Sequence, residues 1–233
     1  MADSKTPDSK NAAGPNAGLN AAAQHLVDSQ RLTADNATLV LIDYMTGLML
    51  GCQTLNGHEL RNNAVALTKL GKLFKLPTIL LGDEGTPLGP MMPEIEAANP
   101  DLQRVPRLTP SAMREPGFVD ALKKIGRRHL ILAGITTDNC VQVLALDAVR
   151  AGYHVYVVVD ASATWSTQLE QAAFARLTQA GVGLTNWVAL SNELLTSWKT
   201  PEGEGVMQLM AEHTGYIADL MNNAKAGTVS LQH

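Results

Sequence analysis

The chain has 233 residues, 45% of them apolar and 17% charged, with a formal net charge of −4. That length is enough for one large α/β domain whose core needs no covalent staples. The acidic balance excludes nucleic acid and anionic membrane as main partners, since neither attracts a negative surface. The only cysteines, Cys52 and Cys140, make no disulfide framework, so a reducing, cytoplasmic compartment is expected. The first 20 residues lack the apolar core of a secretory leader, and no apolar run approaches membrane-spanning length.

Residues 1–30 are expected to be a disordered or arm-like segment. As far as Asn20 they are rich in Ser, Asn, Ala, Gly and Pro, with too little apolar surface to offset ordering entropy. Thr38–Ile42 reads as the first strand, with Asp43 at its carboxyl end. Ala66, Leu67, Leu70, Leu73 and Phe74 share one face of a helix over Arg61–Lys75, which Leu76-Pro77 ends. Thr78–Leu81 is a second strand, and Gly82–Pro93 an irregular loop with Glu84 just past that strand. Leu102–Pro110 carries Arg107 between prolines in a short strand and turn, and Phe118–Ile125 is a helix.

Arg128–Ala161 is the stretch that organises the rest. Leu130–Ala133 is a buried strand; Val141, Leu144, Ala145 and Ala148 recur at helical spacing up to Gly152; Val155–Val159 is a second apolar run. That is a βαβ unit, hence parallel strands joined by a right-handed crossover. Leu169–Ala180 follows as a helix, Leu184–Ala189 as a last strand and Asn192–Trp198 as a short helix. Val206, Leu209, Met210, His213, Ile217, Leu220 and Met221 then form one amphipathic stripe. The fold expected is a single doubly wound, three-layer α/β domain over residues 31–200, with a mostly parallel sheet and helices on both faces. The extension at 201–233 is expected to pack between subunits of a homo-oligomer.

Cys140 lies where the first strand's exit loop becomes the helix, the region where open α/β sheets bind ligands. Helix-start N–H groups favour negative charge there, so the thiol is expected to shift toward thiolate. Asp43 and Arg107 are far away in sequence but also sit in loops able to reach that sheet edge. A desolvated carboxylate can take a thiol proton, and a cation can stabilise the charge that follows. Each residue also has a plainer reading: Cys140 as a small buried hydrophobe, Asp43 as a loop cap, Arg107 as a surface residue. The 6 histidines show no metal-ligand spacing and read as structural, so no metal and no cofactor is expected. No phosphate-binding glycine loop and no G-x-S-x-G is present.

V-L-I-D at Val40–Asp43, R-L-T-P-S-A-M at Arg107–Met113 and L-A-G-I-T-T-D-N-C-V at Leu132–Val141 together resemble the isochorismatase-like cysteine hydrolases. A-L-D-A-V-R-A-G-Y-H-V at Ala145–Val155 and V-V-D-A-S at Val158–Ser162 add to the likeness, which is strongest for the YcaC-type subgroup. The resemblance implies a catalytic triad with Asp43 as base, Cys140 as nucleophile and Arg107 at the family's lysine position. It also implies a cis peptide between Ile135 and Thr136, aiming the Thr136 and Cys140 N–H groups into an oxyanion hole, and an octameric assembly. Arg in place of Lys removes any proton shuttle but keeps the charge. Tyr44-Met45 stands where many members have a glutamine two residues after the Asp. The metal-binding Asp-x-His of nicotinamidases has no counterpart in Gly82-Asp83-Glu84-Gly85.

The expected activity is therefore metal-independent hydrolysis of a small amide-like C–N substrate through a thioester-type intermediate on Cys140. Tyr44, Glu84, Ser162 and Trp165, each near a strand's carboxyl end, are expected to bind the substrate. The alternative is a redox-responsive or vestigial-site homo-oligomer whose activated cysteine is modified without turnover.

Overall fold

In a computed structural model of the chain, residues 31–83 and 88–230 are described. The expectations for residues 1–30 and for Glu84 fall outside them. Six strands form one sheet: β1 (Ala37–Ile42), β2 (Thr78–Leu81), β3 (Gln103–Val105), β4 (His129–Gly134), β5 (His154–Val158) and β6 (Gly183–Thr185). Their order is β3-β2-β1-β4-β5-β6 and every pairing is parallel. The central strands are continuous apolar runs because both faces are covered, which leaves no solvent side to be marked by alternating polar residues.

The two faces carry separate cores. Leu39, Leu41, Leu80, Ile131 and Ala133 point to one face. They meet α1 (Thr46–Gly51), α2 (Gly57–Leu73), and further on α7 (Trp187–Leu194) and α8 (Pro201–His213). Val40, Ile42, Ile79, Leu81, Leu130 and Leu132 point to the other. There they meet α4 (Pro116–Ile125), α5 (Gln142–Arg150) and α6 (Thr167–Gln179); α3 (Pro93–Ala98) completes the first face through Ile95. The chain therefore winds outward from β1 in both directions, and the winding reverses between β1 and β4.

Three expectations need correction. The strand foreseen over Leu184–Ala189 stops at Thr185, because Asn186 turns outward and its Oδ1 accepts the N–H of Ala189 at 2.8 Å, capping α7. The short helix foreseen over Asn192–Trp198 is thus displaced to Trp187–Leu194. The final stripe is two helices, α8 and α9 (Gly215–Ser230), broken at Thr214, whose backbone is extended at φ −127° and ψ 104°. The short helices α1 and α3 had too few residues to show a period. No helix among the described residues is long and apolar enough to cross a membrane.

Asp160, just after β5, accepts the N–H of Trp187 at 3.0 Å and so ties α7 to the sheet edge. Burial pushes its carboxyl up from 3.8 to about 6. A raised acid destabilises the fold only once ionised, so its cost appears as pH rises through about 6 and is absent below 3.8. Asp160→Asn keeps the acceptor oxygen and removes the charge. It is expected to raise stability at neutral pH by about 1–2 kcal/mol, with solvent screening allowed for, and to leave it unchanged in acid. Denaturant midpoints of both proteins across that pH range check this; a pH-independent difference counts against it.

Candidate active site

Ile42 is paired with Leu81 on one side and Gly134 on the other, so the loops leaving β1 and β4 emerge side by side. This is the switch point of the sheet, where the crossover helices diverge and leave a crevice. Two unusual backbone positions make the close approach work. Gly134 has φ 153°, and a Cβ there would lie 2.1 Å from the Ile42 carbonyl oxygen, so only glycine fits. Asp43 has φ 52°, in the left-handed region that Asp visits more readily than most residues. Its N–H donates to Leu81 O at 3.0 Å and its carbonyl accepts from Met45 N–H at 2.6 Å, which fixes the turn.

Beyond Gly134 the Ile135–Thr136 peptide is cis. A π-helical turn over Thr137–Val141 then leads into α5 and carries Cys140. Asn139 and Val141 both donate their N–H to Thr136 O, at 3.3 and 3.1 Å. The turn is strapped from outside by a network of side chains. Glu170 of α6 accepts from Thr54 Oγ1 at 2.9 Å and Thr137 Oγ1 at 3.3 Å. Thr164 Oγ1 donates to Asp138 Oδ1 at 2.5 Å, while Gln142 Nε2 donates to Asp138 O at 2.7 Å.

Arg107 reaches in from the loop after β3. Its Nε donates to Asp43 Oδ1 at 3.3 Å, its Nη2 to Asp43 Oδ2 and to Cys140 Sγ, the latter at 3.2 Å. Nη1 is anchored on Thr109 O at 2.5 Å and Pro110 O at 3.3 Å. Glu115 holds that loop in place by accepting the N–H groups of Leu108 and Thr109 at 2.8 and 2.7 Å. The Asp43 and Arg107 side chains are only 1% and 12% exposed, so this is a buried ion pair with a thiol in contact with both members.

The electrostatics correct one expectation. Burial, then the charge of Asp43 and its hydrogen bond, push the Cys140 thiol up to about 11, against the opposing pull of Arg107 and the Thr136 N–H. The resting residue is a thiol, not the thiolate expected from a helix start. The turn's dipole acts within a buried site that already holds a carboxylate, and a second anion there is disfavoured. Asp43 is raised as well, because burial outweighs Arg107 and Cys140. A neutral thiol therefore sits against the Asp43–Arg107 pair.

The structure brings Asp43, Arg107, Cys140 and Thr136 together. It does not open Tyr44 or Ser162 to a ligand. Tyr44 is fully buried in the core with its hydroxyl donating to Ala161 O. Ser162 is also fully buried, donating to Val158 O at 2.8 Å and accepting from Gly134 N–H at 3.3 Å, so it stitches the strand ends together. Both follow a strand's end, but each points back under the sheet edge. Trp165 is 39% exposed and lies on Gly51, where a Cβ would come within 2.4 Å of its ring. Asp138 sits in the motif itself; Glu115, Thr164 and Glu170 carried no local signal, because only the tertiary fold gives them their partners. Both cysteines are free, and among the described residues no three His, Cys, Asp or Glu side chains converge as a metal-ligand set.

Fold and site together define a class: a doubly wound parallel α/β domain with a cysteine, a carboxylate and a guanidinium meeting at its switch point. The chain belongs to the isochorismatase family, whose domain model matches residues 37–188. It is 36% identical to the probable hydrolase YcaC of Escherichia coli over 195 residues, which are 83% of this chain and 93% of that one. The structure of YcaC from Pseudomonas aeruginosa with hexane-2,5-diol and covalent acrylamide superposes with a TM-score of 0.81 at 34% identity, covering 84% of this chain and 97% of that one. The Escherichia coli YcaC structure, an octameric hydrolase of unknown specificity, gives the same TM-score, identity and coverage, at 0.81, 34%, 84% and 97%.

Proposed function

We propose that this protein is a cysteine hydrolase that cleaves the C–N bond of a small amide-like substrate, with Asp43, Arg107 and Cys140 as its triad. The observation that carries the reading is the contact of a neutral thiol with a buried carboxylate and guanidinium at the sheet's switch point. As Cys140 Sγ attacks the carbonyl carbon, its proton passes to Asp43, so no free thiolate has to accumulate beside the carboxylate. The raised affinity of Asp43 for protons suits it to this task. The N–H groups of Thr136 and Cys140 receive the developing oxyanion. When the C–N bond breaks, Asp43 returns the proton to the leaving nitrogen and an acyl thioester remains. Water then attacks that carbonyl, giving its proton to Asp43, and the thiol leaves reprotonated. Arg107 stays charged throughout and holds Asp43 and Sγ in register.

The covalent acrylamide of the Pseudomonas aeruginosa relative supports a nucleophile that a small amide can reach. The redox-responsive alternative gains little, since a thiol raised to about 11 offers little thiolate to oxidants. The octamer of the Escherichia coli relative supports a homo-oligomer here, and Tyr216 and Leu220 on α9, 73% and 53% exposed, offer it apolar surface.

The test is a panel of small primary amides incubated with wild type and Cys140→Ala, reading ammonia release and the intact mass of acid-quenched protein. Ammonia release with a transient acyl adduct in wild type, and neither in the variant, is the expected result. Ammonia released equally by Cys140→Ala sinks the proposal.

A further inference from the structure

The guanidinium of Arg107 has five N–H donors, and each has a protein partner: Asp43 Oδ1 and Oδ2, Cys140 Sγ, Thr109 O and Pro110 O. Arg107 is also the cation whose charge bears on Cys140. A substrate carboxylate arriving at Sγ therefore finds no free fork to receive it, although a paired guanidinium fork is how proteins usually bind that group. The positive charge is moreover cancelled locally by Asp43, with which it forms a buried pair.

Among the described residues, two further carboxylates lie on the segments that carry the trio. Asp138 lies two residues before Cys140 on the same turn, its carboxylate bonded to Thr164. Glu115 lies under the Arg107 loop, bonded to the next two amides. The residue following Arg107 is Leu108, 80% exposed. Beside Cys140, the polar atom left without a partner among the described residues is the hydroxyl of Thr136, itself 2% exposed. A hydroxyl is an uncharged donor and acceptor, suited to an amide or carbonyl and not to a full negative charge.

We propose that the site selects uncharged substrates and rejects those carrying a carboxylate near the scissile bond, an inference that rests on Cys140 being the nucleophile. The discrimination is electrostatic: the buried Asp43 carboxylate in contact with Sγ disfavours a second anion, and among the described residues the one cation in contact with the thiol is already committed. Charge repulsion of this kind weakens as salt screens it.

Iodoacetamide and iodoacetate differ in charge and little in size, which makes them a direct probe on the intact protein. With either, an S–C bond forms on Sγ as the C–I bond breaks, iodide leaves, and the thiol proton is released to solvent. The second-order rate for each reagent is measured by peptide mass at Cys140, with 2-mercaptoethanol as the reference thiol. The expected result is an amide-over-acid rate ratio at least about tenfold above the reference, narrowing as ionic strength rises from about 0.01 to about 0.5 M. A ratio equal to that of 2-mercaptoethanol, or one favouring iodoacetate, overturns the proposal while leaving the nucleophile in place. If neither reagent modifies Cys140 in the folded protein while both modify it in the denatured chain, the nucleophile reading fails and takes this inference with it.

Discussion

Asp43→Asn is expected to change two properties of Cys140 in opposite directions. Hydrolysis should fall by about 10²–10⁴-fold, the usual contribution of a positioned general base, because the amide cannot accept the thiol proton. Alkylation by iodoacetamide near neutral pH should instead become faster. Burial raises the thiol most, and the charge and hydrogen bond of Asp43 come next. With that carboxylate neutralised, Arg107 and the Thr136 N–H still favour the thiolate, so the Cys140 pKa moves down from about 11 and more thiolate is present at any given pH. Parallel pH–rate profiles for labelling and turnover in the two proteins settle the matter. A parallel fall of both rates would mean that Asp43 acts by shaping the site and not by moving a proton. Unchanged turnover would remove it from the mechanism.

The second large effect is expected at Arg107. Arg107→Met leaves the Asp43 carboxylate in a site where its side chain is 1% exposed, without its counter-charge. Losing one partner of a buried pair typically costs about 3–5 kcal/mol. Here the Thr109 and Pro110 carbonyls lose their donor as well. The sign of the pH dependence follows from Asp43. Its folded pKa is already raised by burial, and removing the cation raises it further. The variant's deficit should therefore be small in acid, where Asp43 is neutral in the folded and unfolded chain, and grow as pH rises through the folded value. Denaturant midpoints of wild type and Arg107→Met in acid and at neutral pH measure this. Equal deficits at both would show that packing, not charge, is what Arg107 contributes. Arg107→Lys should restore part of the stability, since an ammonium can still pair with Asp43. It cannot reproduce the planar fork that spans Asp43, Cys140 and two carbonyls.

Gly134 carries a further expectation. A methyl group there would overlap the Ile42 carbonyl, and its φ of 153° suits only glycine, so Gly134→Ala should lose both stability and Cys140-dependent activity. Retention of wild-type melting behaviour by this variant would show that β1 and β4 can separate without harm to the site.

Much of this molecule is legible along the chain because the relevant physics is local. Apolar runs such as Leu130–Ala133 and Thr78–Leu81 announce strands buried on both faces, and the 3.6-residue spacing around Leu144, Ala145 and Ala148 announces the helix between two of them. From that alternation alone, parallel pairing and a doubly wound sheet follow. The motif around Cys140, together with V-L-I-D and Arg107, identified the family and three side chains that do meet. The errors at β6 and at the end of the chain are also local in origin. A run such as L-T-N-W-V-A reads as a strand until one notices that Asn186 can cap a helix, and an apolar stripe continues unbroken across the extended Thr214.

What the sequence could not decide is anything set by direction or by distant partners. Tyr44 and Ser162 are next to strand ends in sequence, but only the backbone path after Asp43 and the bond to Gly134 decide that they face inward. The strap on the Cys140 turn joins Thr54, Thr137 and Glu170, whose separations of 116 and 33 residues leave no periodic trace. The protonation state of Cys140 depends on burial and on a carboxylate brought in from another strand, quantities that no window of sequence contains. The sequence by itself determined the layers, the parallel pairing of the central strands and the chemical identity of the trio. The tertiary structure alone decided the field in which that trio works, because desolvation and charge–charge energies depend on distances through space and not along the chain.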